Sequence, residues 1–325
     1  MEQIDILLAT YNGEKYLKEQ IDSILSQTYS NFRLIISDDC STDGTRKILE
    51  EYKEKDSRII VYYQEKNLGY VKNFEFLLKK VENKFYALSD QDDVWLSEKI
   101  EKSLEKMKEE DSDLVFGDLE VVDENLKTIN KSFNNLMNLT RKIKKCNDYN
   151  KLYLYNCVTG CTIVARKEFL DKILPIPHNA KHVLHDYWIA LITSIYGKIS
   201  YIDKPYIKYR QHGKNQVGVE KTSYKMENFN EVRKLFIEVK LELFETNVSY
   251  CNRFPKEIQI LNNKALEYFK QIRSKNNFNF RGWKVFYKLY KNESFSYFVL
   301  NFIIMNLPLI GRSLFKIKKI KKEKK

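Results

Sequence analysis

The stretch Phe85-Tyr86-Ala87-Leu88-Ser89-Asp90-Gln91-Asp92-Asp93 decides how the chain reads. An apolar run this short, stopped by an acidic cluster, predicts a buried strand ending in a polar turn. The same grammar repeats upstream. Ile4 to Ala9 runs into Thr10-Tyr11-Asn12-Gly13, Phe32 to Ser37 into Asp38-Asp39, and Arg58 to Tyr63 reads as a further strand. Between them, Leu17, Ile21, Ile24 and Leu25 recur on one helical face, Asp43 to Lys53 reads as a helix, and Val71 to Val81 carries Phe74, Leu77, Leu78 and Val81. Ser97 to Glu110 predicts a charged helix, followed by an apolar run at Leu114 to Phe116. Strands alternating with helices predict βαβ units and a mostly parallel sheet flanked by helices. Ligands bind beyond the carboxyl ends of such strands, so the three polar clusters should converge on one edge.

Further on, regular signals appear at Thr159 to Ala165 (strand), His185 to Tyr196 (helix), Ile199 to Ile202 and Ile207 to Arg210 (strands). Residues 124–156, rich in Asn and Lys, predict a loop with some helix, and from about 223 onward the pattern is helical. The expected organisation is an α/β domain over 1–220 and a helical region over 221–325. The 325 residues carry a formal charge of +12, with 43% hydrophobic and 14% aromatic residues, which excludes a largely disordered chain. Arg312 to Lys325 hold eight basic residues against one acid, a net of +7. Most of the excess charge is therefore local, and nucleic acid is not an expected partner. Five scattered cysteines do not form a secreted disulfide framework, and fit a reducing compartment better. Met1-Glu2-Gln3-Ile4-Asp5 lacks the basic start of a signal peptide.

Asp90 and Asp92 alternate along an extended segment and can point the same way. Two such carboxylates suit a hard cation that also holds phosphate oxygens. An acidic helix cap at Asp93 reads equally well. Asp38 and Asp39 end a strand where a carboxylate can accept from a base imide or a ribose hydroxyl, or cap the next helix. Cys157 and Cys161 lack the second pair of a zinc site and read as buried thiols. Trp95 reads as a core anchor rather than a sugar platform, and Trp188, beside Asp186, as either.

Ala9-Thr10-Tyr11-Asn12-Gly13, Leu25-Ser26-Gln27-Thr28-Tyr29, Ser37-Asp38-Asp39-Cys40-Ser41-Thr42-Asp43-Gly44 and Ser89-Asp90-Gln91-Asp92-Asp93 together resemble the family 2 inverting glycosyltransferases of GT-A (Rossmann-like) fold. His185-Asp186-Tyr187-Trp188 and Tyr209-Arg210-Gln211-His212-Gly213 look like the bacterial rhamnosyltransferase-like branch. The resemblance covers about residues 1–215. It implies that Thr10 and Tyr11 frame a nucleotide base, with Asp39 binding it and Asp38 nearby. Asp92 becomes the main ligand of Mn²⁺ or Mg²⁺, assisted by Asp90, and Asp186 the catalytic base. Lys72, Arg210 and His212 are the weaker candidates for neutralising donor phosphate. An inverting transfer needs one carboxylate to take the acceptor proton and a cation to stabilise the leaving nucleoside diphosphate, which fits these residue types.

The expected donor is a nucleotide sugar, dTDP-L-rhamnose first and a UDP-hexose second. The expected acceptor is a lipid-linked saccharide of a cell-surface polysaccharide. A sugar nucleotidyltransferase fits less well, because Thr10-Tyr11-Asn12-Gly13 is not a Gly-rich basic phosphate loop. A non-catalytic basic binding protein is the remaining alternative. The apolar run Phe295 to Ile310, interrupted by Asn301, Asn306 and Pro308 and followed by lysines, reads as an interfacial helix with a polybasic tail. That implies an enzyme at the cytoplasmic face of an anionic membrane; a core helix with a solvated tail is the plainer alternative.

Overall fold

Among the described residues the central sheet has seven strands, in spatial order Ile199–Ile202, Leu114–Gly117, Val164–Arg166, Phe85–Ser89, Ile4–Thr10, Phe32–Asp38 and Ile59–Tyr63. The computed structural model describes residues 2–137, 139, 143, 148–213, 229–275, 283–290 and 295–307. The predicted boundary near residue 220 and the basic tail 312–325 lie outside them. By chain packing the protein divides into two units: Met1–Leu152, Asn156–His178 and Leu184–Val219 in the first, and Tyr153–Tyr155, Asn179–Val183 and Glu220–Lys325 in the second.

In the first unit, β1 (Ile4–Thr10), β2 (Phe32–Asp38), β3 (Ile59–Tyr63) and β4 (Phe85–Ser89) alternate with α1 (Leu17–Leu25), α2 (Thr45–Lys55) and α3 (Tyr70–Leu78). All four strands run parallel: β1 pairs with β2 and β4, and β2 with β3. Their residues are apolar on both faces because both faces are covered, as a parallel sheet requires. Ile4, Ile6 and Leu8 of β1 and Leu34 and Ile36 of β2 pack with Leu17, Ile21 and Ile24 of α1. Leu7 and Ile35 alternate to the other face, where Phe74 and Leu77 of α3 are also buried. Each such side chain contributes about 1.5–3 kcal/mol on burial, so the register Thr10↔Asp38 and Leu8↔Ser89 is firmly set.

After α4 (Lys99–Glu110) come β6 (Leu114–Gly117), β9 (Val164–Arg166) and β10 (Ile199–Ile202). β10 is parallel to β6, whereas β9 inserts antiparallel between β4 and β6. The predicted strand over 159–165 is shorter than expected, because Gly160–Thr162 form a 3₁₀ turn first. A second sheet, in order β5-β11-β7-β8, joins β5 (Val94–Trp95), β11 (Ile207–Arg210), β7 (Glu120–Val122) and β8 (Thr128–Asn130). It brings β11 next to the segment that follows Asp92-Asp93. The helix His185–Tyr196 carries buried Trp188, whose Nε1–H donates to the Ile173 carbonyl at 2.8 Å. Trp95 is buried as well.

The second unit contains the helices Phe229–Ser249, Lys256–Lys275, Trp283–Tyr290 and Phe295–Asn306. The last of these packs internally. Arg233 donates to the Met305 carbonyl at 3.1 Å, Tyr268 Oη donates to Asn306 at 3.1 Å, and Phe298 and Phe302 meet Trp283 and Phe286 edge-on. Among the described residues of this helix, Asn301, Met305 and Asn306 are buried against its neighbours, while Phe298, Val299, Phe302 and Ile303 stay partly exposed. No described helix is long and apolar enough to cross a membrane. Cys157 is disulfide-bonded, which corrects its reading as a thiol, while Cys161 is a free, buried thiol.

Candidate active site

The ends of β1, β2 and β4 meet as predicted. Asn12 and Cys40 both sit at positive φ, +49° and +66°, which turns each loop sharply away from its strand. The Asp39 N–H donates to the Thr10 carbonyl at 2.9 Å, and the Asn12 N–H donates to Ser41 Oγ at 2.8 Å. Gln91 joins the third loop to the first. Its Oε1 accepts from Thr10 Oγ1 at 2.6 Å and the Tyr11 N–H at 2.8 Å, and its Nε2 donates to the Tyr11 carbonyl at 3.1 Å. Gly13 is required for this closeness, since a Cβ there would lie 2.4 Å from Gln91 Oε1. Sequence reading passed over Gln91; its place between two aspartates was the available signal. Tyr11 presents its ring outward, 45% exposed.

Asp39 is buried, and its carboxylate accepts from the Leu68 and Gly69 N–H groups at 2.7 and 2.9 Å. It thereby fixes the loop leading into α3, with Gly69 at φ +80°, a conformation glycine adopts without steric cost. Asp38 is held through Oδ2 by Arg46 Nε at 2.8 Å, and its buried Oδ1 has no partner among the described residues. Lys72 lies exposed in the first turn of α3; no described contact joins it to the other candidates.

The acidic cluster separates into an open and a closed part. Asp90 and Asp92 are half-buried, whereas Asp93 is fully buried. Asp92 Oδ2 pairs with His212 Nε2 at 2.8 Å. Burial, then the charges of Asp92 and Asp186, push the Asp90 carboxyl up to about 7. Asp93 accepts from the Arg210 N–H at 3.2 Å, and burial raises its carboxyl well above the usual range. One ligand atom each from Asp90, Asp93 and Cys161 lies within 4.8 Å of the others. Yet Asp93 and Cys161 are closed off from solvent, and a cation holding a diphosphate needs an open side and oxygen or imidazole ligands. Asp90, Asp92 and His212 are each partly open to solvent, and their side chains offer oxygen and imidazole donors. Behind them, Lys99 is buried with its ammonium 3.3 Å from the Trp95 ring centroid, and burial lowers it to about 7.

Arg210 departs from its expected place. It is 1% exposed, and each side-chain nitrogen is bound within the protein. Nε donates to the Asp92 carbonyl at 2.9 Å, Nη1 to the Glu124 carbonyl at 2.6 Å, and Nη2 to the Glu19 carboxylate. It is thus no open phosphate ligand; the corrected position is a buried junction under the Asp92 loop.

Asp186 stands in the first turn of the helix His185–Tyr196. Its carboxylate accepts from the Tyr187 N–H at 2.6 Å, from the Gly160 N–H, and at 3.5 Å from Asn156. Burial outweighs these bonds and pushes it up to about 6. Gly160 makes room, because a Cβ there would come within 3.0 Å of His185 Nε2 and 3.4 Å of Asp186 Cβ. Neighbouring His185 stacks on Phe74 at 4.2 Å and meets Tyr70 edge-on.

Residues 5–174 match the family model "Glycosyl transferase family 2". Among curated relatives, the putative teichuronic acid biosynthesis glycosyltransferase TuaG of Bacillus subtilis (strain 168) is 39% identical over 106 residues, 33% of this chain and 42% of that protein. The dTDP-rhamnosyl transferase RfbG of Shigella flexneri is 34% identical over 233 residues, 67% of this chain and 77% of that protein. The UDP-Glc:alpha-D-GlcNAc-diphosphoundecaprenol beta-1,3-glucosyltransferase WfgD of Escherichia coli is 32% identical over 212 residues, 64% and 76%. In fold, the chain is similar to S. aureus TarS in complex with UDP-GlcNAc, with TM-score 0.54 and 21% identity over 83% of this chain and 72% of that one. It is also similar to the mannosyltransferase PcManGT of Pyrobaculum calidifontis in complex with GDP-Man and Mn²⁺, with TM-score 0.50 and 12% identity over 91% and 77%. The chain belongs to glycosyl transferase family 2, as a nucleotide-sugar glycosyltransferase of GT-A fold.

Proposed function

We propose that this enzyme moves a sugar, with inversion, from a nucleotide sugar to a hydroxyl of a saccharide acceptor, with Asp186 as the base. The observation that carries the reading is the pairing of two differently built carboxylate sites. Asp186 is an elevated carboxyl anchored on backbone N–H groups, suited to accept a proton near neutral pH. The Asp90–Asp92 loop is latched to the base-binding strand end through Gln91. Asp92, Asp90 and His212 would hold Mn²⁺ or Mg²⁺, whose chemistry is to neutralise charge on the departing nucleoside diphosphate. Thr10, Tyr11, Asp38 and Asp39 frame the base, and exposed Lys72 supplies a mobile positive charge to phosphate. Asp186 takes the acceptor hydroxyl's proton as the acceptor oxygen attacks the anomeric carbon, and the nucleoside diphosphate leaves on the opposite side.

For the donor, dTDP-L-rhamnose is the first choice, supported by the 34% identity to RfbG. A UDP-hexose is the second reading, favoured by the similarity to WfgD. The WfgD name also supports a lipid-linked acceptor, and the +7 of residues 312–325 supports attachment to the anionic cytoplasmic face of a membrane. A thermal-shift panel of UDP-, GDP- and dTDP-sugars with Mn²⁺ tests the donor assignment. A dTDP-sugar should stabilise most. The largest shift from a UDP-hexose selects the second reading, and a shift with none of them overturns both.

A further inference from the structure

We propose that Arg210 is a positioning residue that holds the Asp92–His212 pair in metal-binding geometry. The inference rests on the metal reading above and extends it to a residue that touches neither metal nor donor.

Three segments far apart in sequence meet at this one guanidinium. Nη2 takes the Glu19 carboxylate from α1, Nη1 the Glu124 carbonyl that follows β7, and Nε the carbonyl of Asp92 itself. Its own N–H donates to Asp93, so the backbone is tied to the same acidic loop as the side chain. The guanidinium lies over the Tyr16 ring at 4.4 Å, and that ring lies 4.9 Å from the His212 imidazole. His212, two residues beyond Arg210, in turn reaches Asp92 Oδ2 at 2.8 Å. The circuit Arg210–Asp92–His212–Tyr16 therefore closes on itself. Losing Nε would release the carbonyl of Asp92, and losing the guanidinium would uncover the Tyr16 ring that lies against His212.

A planar fork with fixed donor directions satisfies three acceptors at once; a lysine ammonium keeps the charge but not that geometry. This separates a positioning role from a phosphate-binding role, which Lys would largely preserve. Groups that orient metal ligands are typically worth about 10–100-fold in metal affinity.

The experiment uses full-length protein with UDP and with dTDP, and reads free Mn²⁺ by electron paramagnetic resonance. Arg210→Lys should weaken Mn²⁺ binding about tenfold or more, with nucleotide affinity in the absence of metal unchanged. Glu19→Ala, at a side chain about half exposed, removes one arm only and should weaken Mn²⁺ about threefold. This second variant covers the case in which Arg210→Lys fails to fold. Unchanged Mn²⁺ affinity in both variants overturns the proposal. So does an equal loss of metal-free nucleotide binding, which would make Arg210 a direct phosphate ligand. If the wild type binds nucleotide identically with and without Mn²⁺, the metal reading itself fails. The role of Arg210 is then read from the ¹⁵N ring resonances of His212, which should shift in both variants; unmoved resonances overturn it.

Discussion

Replacing Asp186 by Asn tests the assignment of the base through two independent magnitudes. General-base catalysis is worth about 10²–10⁴-fold, so Asp186→Asn should lower kcat by at least about a hundredfold while nucleotide binding persists. The wild-type pH profile should show the same group. Only the ionised carboxylate accepts a proton, and its pKa stands at about 6. At pH 5 about a tenth is ionised, so the rate should fall roughly tenfold from its plateau. Stability moves in the opposite direction. The carboxyl is raised in the folded state from its usual 3.8 to about 6, so the folded state binds the proton more tightly. Stability from this group is intact below about pH 4 and declines as pH rises through 6, by about 1–3 kcal/mol given partial solvent access. The Asn variant should lose that component of the pH dependence. Steady-state rates between pH 5 and 8, with thermal melts of both proteins at pH 4.5 and 7.5, measure all three quantities. A flat wild-type profile, or a variant retaining a tenth of the activity, would refute the assignment.

Other outcomes follow from the same geometry. Gln91→Ala removes three hydrogen bonds between the first and third loops and should weaken nucleoside diphosphate binding about tenfold by calorimetry. Gly13→Ala forces a Cβ to within 2.4 Å of Gln91 Oε1 and should give the same loss. Asp39→Ala frees the Leu68 and Gly69 N–H groups, so hydrogen exchange at those two amides should accelerate, with nucleotide affinity falling in parallel. Deleting residues 312–325 should abolish sedimentation with anionic vesicles and leave nucleotide binding intact; continued sedimentation counts against attachment through the tail.

Much of this arrangement was legible in the sequence because it is local. Each buried strand of the βαβ units ends in its own polar cluster, and parallel connection places those ends on one edge. The convergence of Thr10, Asp39 and the Asp90 loop needed no further information. The second sheet was harder to read. β5, β7 and β8 have two or three residues each, too few for any period to show, and they are held by pairing with β11. Arg210 shows a different limit. A cation near a phosphate site reads as a phosphate ligand until its acceptors at positions 19, 92 and 124 are brought together by the fold. The helix Phe295–Asn306 shows no clear period in the sequence, and only its contacts with Arg233, Tyr268 and the rings of Trp283 and Phe286 reveal which side packs on its neighbours.

The most direct test of the central claim is calorimetric titration of nucleoside diphosphate, with and without Mn²⁺, into wild type, Asp92→Ala and Asp186→Asn. Mn²⁺ should strengthen binding to the wild type and to Asp186→Asn, and should have no effect on Asp92→Ala. Mn²⁺-dependent binding that is undiminished in Asp92→Ala would contradict the account.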